Sequence, residues 1–301
     1  MKKVNYAAID IGSNAVRLLI KCVNEEGSPE GLMSKVQLIR VPIRLGEDSF
    51  ILGRISKDKE EKLIRLMKAY KQLMKIYEVT DYSACATSAM RDASNGKDIV
   101  CQIEKRTGIR VEIIDGEEEA QIIYNNHIEQ QFDNTQNYLY VDVGGGSTEI
   151  NLISLGELKS SRSYDIGTVR MLSGMVKDEV REQMQADLLE LAKEYAPVNI
   201  VGSGGNINKL FRLAEKKDKK NTLLPVESLL EIYETLKNLS KEERIKQFKL
   251  KPDRADVIVP AAEIFLTVAR HTQATHITVP TIGLSDGIVD RLYAKKMRTE
   301  K

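Results

Sequence analysis

The segment Asp142-Val-Gly-Gly-Gly-Ser-Thr-Glu149 constrains the fold and the chemistry of this chain more than any other. It follows the apolar run at residues 138–141, whose composition predicts a buried strand. Three glycines let backbone N–H groups converge on an anion without side chains in the way. The two carboxylates would repel that anion unless a hard cation lay between them, and Mg²⁺ is the usual one. The segment therefore predicts a strand-end loop for phosphate and a divalent metal.

The same pattern occurs near the start of the chain. Residues 6–12 (Tyr-Ala-Ala-Ile-Asp-Ile-Gly) align with residues 138–144 (Tyr-Leu-Tyr-Val-Asp-Val-Gly), which places Asp10 on Asp142 at an offset of 132 residues, 142 minus 10. Each copy predicts a strand, a polar turn and a second strand. We therefore expect two related domains, residues 1–132 and 133–301, with the last helix able to pack back on the first domain. A polar stretch at residues 130–136 has the composition of a loop at the boundary.

Strands and helices alternate along both halves, which is typical of an α/β protein. In the first half, apolar residues recur at helical spacing over residues 56–77, and Ser56 is a suitable N-cap. In the second half, the patterns predict strands and helices over several further ranges. The strands are at 199–201 and 276–279, and the helices are at 178–195, 226–239, 255–269 and 288–296.

Composition narrows the class of protein. The 301 residues include 45 basic and 44 acidic side chains, so no global field favours nucleic acid or membrane as a partner. Cys22, Cys85 and Cys101 are odd in number and follow no metal-ligand spacing, which predicts free thiols in a reducing cytoplasm. We see no signal peptide and no apolar run near the roughly 18 residues that a membrane helix needs. We therefore expect a cytoplasmic protein with small-molecule ligands.

Five segments rich in glycine, hydroxyls or carboxylates follow predicted strands. They are residues 10–14, 87–91, 115–119, 142–149 and 202–205. Ligands of open α/β sheets bind outside the carboxyl ends of strands, so segments on the same side would converge on one cleft. Each segment also has an ordinary structural interpretation. Arg91 can be a surface arginine, and the acidic residues 117–119 can be helix-dipole partners. The basic run at 209–220 can be a solvated loop, or it can be a basic surface that attracts a polyanion and raises its association rate.

Together these segments resemble the exopolyphosphatase/guanosine pentaphosphate phosphohydrolase (Ppx/GppA) family. The matching segments run in family order, at residues 8–14, 86–93, 114–120, 141–149, 166–170, 202–205 and 284–288. The resemblance implies two ribonuclease-H-like domains of the actin/Hsp70/sugar-kinase superfold, with an active-site cleft between the domains. It also implies hydrolysis of a terminal phosphoanhydride with Mg²⁺, for which Mn²⁺ is a possible substitute.

The resemblance also implies roles for single residues. Glu119, just before Ala120 in the Glu-Glu-Ala motif, would be the base that activates water, and Arg91 would contact phosphate. Asp142 and Glu149 would approach the metal. The polar turns and glycine loops supply the predicted phosphate-binding residues, which are Asp10, Ser13, Asn14, Gly144, Gly145, Gly146, Ser147, Thr148, Gly204 and Gly205.

Two departures from the family pattern matter. Asp115-Gly116 stands where the family usually has Ser-Gly, and the extra carboxylate can either alter the pKa of the base or cap the helix. Longer members carry a further C-terminal helical domain, often of HD type, whereas this chain ends at Lys301. That difference favours shorter substrates.

Several alternatives stay open at this point. The substrate can be inorganic polyphosphate or guanosine pentaphosphate. A kinase or ATPase of the same superfold would also use the glycine loops, and a non-catalytic sensor would bind (p)ppGpp without hydrolysis. Family members often pair, so a homodimer is a further expectation, without an interface identified in this chain.

Overall fold

The computed structural model describes residues 3–24, 33–124, 133, 135–220, 222–280 and 283–299. Contacts group the chain into two compact units, Met1–Asn126 with Leu284–Lys301 (unit 1) and His127–Gly283 (unit 2). The predicted domain boundary after residue 132 lies outside the described residues. No helix in the described ranges has the length and apolar character that crossing a membrane requires.

Unit 1 is built on one mixed five-stranded sheet with helices. Its strands are β1 (Lys3–Ile11), β2 (Val16–Asn24), β3 (Met33–Val41), β4 (Val79–Ala86) and β5 (Glu112–Ile113). Its helices are α1 (Leu45–Leu52), α2 (Lys57–Ile76), α3 (Ser88–Asp92), α4 (Gly96–Thr107), α5 (Gly116–Tyr124) and α13 (Leu284–Thr299). The strand order is β3-β2-β1-β4-β5, in which β1 to β3 are antiparallel and β4 and β5 run parallel to β1.

Unit 2 repeats this plan with one more strand. Its strands are β6 (Asn137–Val143), β7 (Thr148–Ser154), β8 (Glu157–Tyr164), β9 (Val198–Ser203), β10 (Leu223–Pro225) and β11 (His276–Thr278). Its helices are α6 (Thr168–Leu172), α7 (Asp178–Tyr195), α8 (Gly205–Leu213), α9 (Val226–Lys237), α10 (Lys241–Phe248), α11 (Pro252–Ala255) and α12 (Ile258–Thr272). The order is β10-β11-β9-β6-β7-β8, with β9 parallel to β6 and β11 parallel to β9.

The internal repeat holds at the level of single hydrogen bonds. The Gly12 N–H donates to the Ala15 carbonyl at 3.2 Å, and the Gly144 N–H donates to the Ser147 carbonyl at 3.0 Å. Each bond closes the four-residue turn of a hairpin, β1–β2 in unit 1 and β6–β7 in unit 2. The predicted α/β class with two related ribonuclease-H-like units is therefore confirmed.

The central strands are buried because helices and neighbouring strands cover them. Every residue of β7 is buried, and β1 is buried from Ala7 to its end. The first turn of α2 is fixed as predicted, since the Ser56 side chain accepts a hydrogen bond from the Lys59 N–H. Apolar residues of β6, β7, α8 and α12 form the core of unit 2.

Helix α13 joins the sheet of unit 1 through buried charges. Lys21 on β2 lies 3.1 Å from Asp286 and 3.0 Å from Asp290, and all three residues are buried. A Cβ atom at Gly287 would lie 2.5 Å from the Ile122 carbonyl oxygen, so glycine permits close packing of α13 on α5. The helix begins at Leu284, four residues before the predicted range. Its first turn carries Ser285 and Asp286, whose side chains contact Asp10 and Lys21 of the sheet.

Candidate functional site

The first hairpin holds Asp10 in an ion pair. Asp10 lies next to the end of β1 and faces Arg17 of β2 directly across the ladder. The Arg17 Nη1 atom donates to Asp10 Oδ2 at 2.6 Å, and the Ser285 hydroxyl lies 3.4 Å from the same oxygen. Asp10 is only 2% exposed, so burial requires this compensation of its charge.

The turn of the same hairpin is anchored by its neighbours. The Ser13 hydroxyl shares a hydrogen bond of 2.8 Å with the Ser88 hydroxyl, at the start of α3. The Ser13 carbonyl accepts from the Gly46 N–H at 2.9 Å, and the Asn14 carbonyl accepts from the Arg44 N–H at 3.0 Å. Ser13 and Asn14 therefore lie in a turn whose carbonyl groups already accept hydrogen bonds from the backbone.

The first three predicted segments meet within unit 1. The Thr87 N–H donates to the Ile11 carbonyl at 3.2 Å, and the Ile114 N–H donates to the Ala86 carbonyl at 3.0 Å. These bonds place the carboxyl ends of β1, β4 and β5 side by side. The turn after Asp10, the helix that carries Arg91 and the helix that carries Glu119 therefore begin at one edge of the sheet.

Arg91 and Glu119 are brought together at this edge. Arg91 Nη1 lies 4.0 Å from Glu119 Oε2, which is an ion pair too long for a direct hydrogen bond. Glu119 is 7% exposed, whereas the Arg91 side chain is 25% exposed. Arg91 Nη1 also donates to the Ile114 carbonyl at 2.9 Å, which fixes the guanidinium beside the start of α5. A buried carboxylate beside a partly accessible guanidinium can accept a proton next to a bound anion.

Asp115 caps the helix that carries Glu119. Its Oδ1 atom accepts from the Glu118 N–H at 2.8 Å, and its carbonyl accepts from the Glu119 N–H at 3.0 Å. This is the geometry of an N-cap, which satisfies donors of the first turn. Of the two predicted roles for the extra carboxylate, the structure favours the cap.

The second hairpin opposes two carboxylates. Asp142 lies next to the end of β6 and faces Glu149 of β7 across the ladder. Glu149 is 1% exposed, and its Oε1 atom accepts from the Ser163 hydroxyl at 2.9 Å. Like charges directly opposite each other in a sheet are destabilising, so this pair lowers the stability of the hairpin. It also brings two sets of carboxylate oxygens to one place.

The glycine loop between them is held by its carbonyl groups. The Gly144 carbonyl accepts from the Thr168 N–H at 3.0 Å, the Gly145 carbonyl accepts from the Val169 N–H at 2.8 Å, and the Gly146 carbonyl accepts from Arg170 Nε at 2.7 Å. In a planar trans peptide the next N–H points the opposite way. The N–H groups of Gly145, Gly146 and Ser147 therefore point away from α6, as an anion site requires.

Thr148 and Gly204 have different surroundings. The Thr148 hydroxyl donates to the Ile166 carbonyl at 2.5 Å, so it supports the loop. Gly204 has a φ of 100°, and a Cβ atom there would lie 2.8 Å from Asp142 Oδ1. Glycine thus lets the N-terminus of α8 approach the carboxylate pair, with Gly205 as the first residue of the helix.

Basic side chains lie on α8 and beside its first residue. A Cβ atom at Gly205 would lie 3.0 Å from Arg254 Nη2. Burial lowers the pKa of Lys209, and the positive charges of Arg254 and Arg212 lower it further. The positive charges of Arg254 and Arg212 therefore act on Lys209, and the three residues make this part of unit 2 basic.

The residues of the second hairpin fit a divalent metal. Asp142 and Glu149 offer carboxylate oxygens, the donors that Mg²⁺ and Mn²⁺ prefer. Among the described residues no group of three or more His, Cys, Asp or Glu side chains could hold a metal ion. Two protein carboxylates suit a cation that keeps water or substrate oxygens in its remaining positions, as Mg²⁺ usually does.

The sequence analysis did not identify Arg17, Arg254 or Ser163 as site residues. Arg17 had a detectable signal, because it lies seven residues after Asp10 in a hairpin whose turn length fixes the register. Ser163 faces Glu149 across the hairpin of β7 and β8, but β8 was not itself predicted. Arg254 lies far in sequence from Gly205, so only the tertiary fold brings these two residues together.

Comparisons with known proteins agree with this architecture. The model of the Ppx/GppA phosphatase family matches residues 24–296. Exopolyphosphatase 2 of Mycobacterium tuberculosis is 27% identical over 321 aligned positions, which cover 96% of this chain and 98% of that protein. The crystal structure of the Aquifex aeolicus member of the Ppx/GppA family has a TM-score of 0.76 at 28% identity and covers 98% of this chain and 99% of its own.

A second solved structure supports the fold. An exopolyphosphatase from Cytophaga hutchinsonii has a TM-score of 0.84 at 23% identity, and the match covers 97% of this chain and 98% of that one. The family model spans the second hairpin, β6–β7, and the helices that carry Arg91 and Glu119, and it begins at the end of the first hairpin. This chain therefore belongs to the Ppx/GppA phosphatase family.

Proposed function

We propose that this chain is a divalent-metal-dependent phosphoanhydride hydrolase that releases terminal phosphate from inorganic polyphosphate. The observation that carries the proposal is the Arg91–Glu119 pair, in which a buried carboxylate lies 4.0 Å from a partly accessible guanidinium. A water molecule can bridge two groups at this separation, because it can accept from the guanidinium and donate to the carboxylate. The pair can thus hold an anion and deprotonate its attacking water.

Phosphoryl transfer requires positioning and charge neutralisation more than covalent chemistry from the protein. Arg91 would bind the terminal phosphate, because a guanidinium makes bidentate contacts with its oxygens. Glu119 would orient and deprotonate water, a contribution typically worth about 10²–10⁴-fold in rate. The Ser13–Asn14 turn and Asp10 would contribute to holding the phosphate.

Unit 2 would bind the phosphate chain through backbone donors. The N–H groups of Gly145, Gly146 and Ser147 point away from α6, and the N-terminus of α8 lies beside Asp142. Asp142 and Glu149 would hold Mg²⁺. When bound, this ion supplies positive charge that offsets the negative charge of the phosphate oxygens. Arg254 and Lys209 would extend the positive surface along the chain of the substrate.

No phosphoenzyme is expected. Cys85 lies beside Asp10 in the sheet of unit 1, where the two residues are partners across β1 and β4. Burial raises the pKa of its thiol to about 11, so it stays protonated at neutral pH and is a poor nucleophile. Isolation of a covalent phosphoryl adduct would contradict direct attack by water.

Polyphosphate is the substrate that we favour because relatives that align over 96% of this chain are named exopolyphosphatases. Phosphate release with Mg²⁺ should be measured on short polyphosphate, long polyphosphate, guanosine pentaphosphate and ATP, each without a second substrate. We expect release from polyphosphate that stops when EDTA is added.

Each of the other possible results of this assay would indicate a different activity. Release from guanosine pentaphosphate alone would change the substrate and keep the reaction. Release from ATP alone would indicate an ATPase or kinase of the same superfold. Binding of (p)ppGpp with no release from any substrate would indicate a sensor and would contradict the proposal.

A further inference from the structure

The two hairpins repeat in register, but their cross-strand pairs differ in charge. Asp10 faces Arg17 in unit 1, whereas Asp142 faces Glu149 in unit 2, and both pairs are related by the same offset of 132 residues. Both turns are closed by the same N–H to carbonyl bond. The aspartate is the same in both pairs, and its partner is an arginine in unit 1 and a glutamate in unit 2.

We propose that Arg17 takes in unit 1 the place that a divalent cation takes in unit 2, so that only the second hairpin binds metal. This inference rests on the proposed function for the presence of a metal in unit 2. It goes further by assigning a role to Arg17, as a positioning residue that replaces the metal with an internal cation. The chain would then use one metal-dependent and one metal-free hairpin.

The geometry of Arg17 excludes a cation at Asp10. Arg17 Nη1 is 2.6 Å from Asp10 Oδ2, and the Ser285 hydroxyl approaches the same oxygen at 3.4 Å. The guanidinium keeps its charge at every accessible pH. A divalent ion that bound Asp10 would lie within a few ångströms of that charge, where repulsion in a partly buried site is strong.

The second hairpin has the opposite design. Glutamate at position 149 adds a second hard oxygen donor in place of the guanidinium, and Ser163 orients it through a hydrogen bond of 2.9 Å. Gly204 leaves room beside Asp142, because a Cβ atom there would lie 2.8 Å from its Oδ1 atom. Two carboxylates that face each other across a hairpin are a suitable donor set for Mg²⁺ or Mn²⁺.

The location of the metal can be mapped with Fe²⁺ as the probe. With ascorbate and peroxide, bound Fe²⁺ generates radicals that cut the backbone near the ion, and mass spectrometry of the fragments identifies the position. We expect the wild-type chain to be cut within residues 142–149 and not within residues 10–17. Asp142→Asn should lose its cut, and Mg²⁺ in excess should suppress the wild-type cut.

Variants at Arg17 test its role. Arg17→Glu recreates the dicarboxylate pair of unit 2 and should gain a cut within residues 10–17, whereas the matched variant Arg17→Gln should not. Arg17→Asp serves as the second dicarboxylate variant if circular dichroism shows that Arg17→Glu does not fold.

The outcomes separate this inference from the proposed function. Cuts at both hairpins of the wild-type chain would overturn the role of Arg17 and leave a metal in unit 2. A folded dicarboxylate variant with no new cut would also overturn it. A wild-type chain with no cut at residues 142–149 would instead contradict the metal site of the proposed function.

Discussion

At the scale of single residues, the charges around helix α5 have separate tasks. Glu119 is buried beside Arg91, Glu118 pairs with Arg291 of α13 at 2.5 Å, and Glu117 is exposed. Three consecutive glutamates thus have three environments. The sequence identified Glu119 through a family motif, but it could not distinguish dipole partners from a base, because burial depends on what packs against the helix.

Asp115 should contribute to stability and not to the pH dependence of catalysis. Asp115→Ala removes the cap of α5 and should lower the free energy of unfolding by about 1 kcal/mol, whereas Asp115→Ser should retain most of it. Chemical denaturation of both variants measures the difference. The pH–rate profile of the serine variant should match that of the wild type. A shifted acidic limb would show that Asp115 acts on the base.

At the scale of elements, the short helix α6 supports the glycine loop. Gly167 precedes it with ordinary extended backbone angles, yet a Cβ atom there would lie 2.4 Å from backbone atoms of Gly146. The requirement for glycine is therefore steric. Local patterns in the sequence did not predict α6, because its five residues are held by carbonyls of residues 144–146 and not by helical periodicity.

Gly167→Ala should displace the loop that presents backbone N–H groups. We expect kcat/KM for polyphosphate to fall by about 100-fold, the size of effect that a displacement near 1 Å can cause. Leu172→Ala is the matched control, because Leu172 ends the same helix and is 48% exposed. Equal kinetics in the two variants would show that the loop tolerates the added methyl group.

Strand β8 and helix α7 are joined through one buried carboxylate. Asp187 accepts hydrogen bonds from Tyr164 at 2.7 Å and Gln183 at 2.8 Å and forms an ion pair with Arg162. Burial raises the pKa of Asp187, but these hydrogen bonds outweigh burial and hold the pKa below its ordinary value of 3.8. The sequence did not predict β8, because its serines and lysine are unusual for a strand.

Because the pKa of Asp187 is lowered in the folded protein, the free energy of unfolding should fall as the pH falls. The stabilisation is present above the unfolded pKa of 3.8 and is lost as the pH falls through the lower folded value. Asp187→Asn should therefore reduce the free energy of unfolding by roughly 1–3 kcal/mol at neutral pH, and by less in acid. Urea unfolding at both pH values tests this, with Glu190→Gln on the exposed face of α7 as the control.

At the scale of the whole molecule, the two related units contain hairpins with the same turn and different cross-strand charges. The match of Asp10 to Asp142 was enough to predict the repeat, since strand, turn and strand follow from local patterns. The difference in charge between the two hairpins was not predicted, because it depends on the cross-strand partners Arg17 and Glu149. Register, which the turn length sets, determines which residues face each other.

The most direct test of this account is the rate of phosphate release from polyphosphate, with Mg²⁺ and no nucleotide, by the wild type, Glu119→Gln and Glu117→Gln. Glu117 is the matched control because it lies exposed in the same first turn of α5. Glu119→Gln should keep the wild-type melting temperature and lose at least about 100-fold in kcat. The control variant should keep the wild-type rate. Equal turnover of all three proteins would contradict the role of Glu119 and the mechanism built on it.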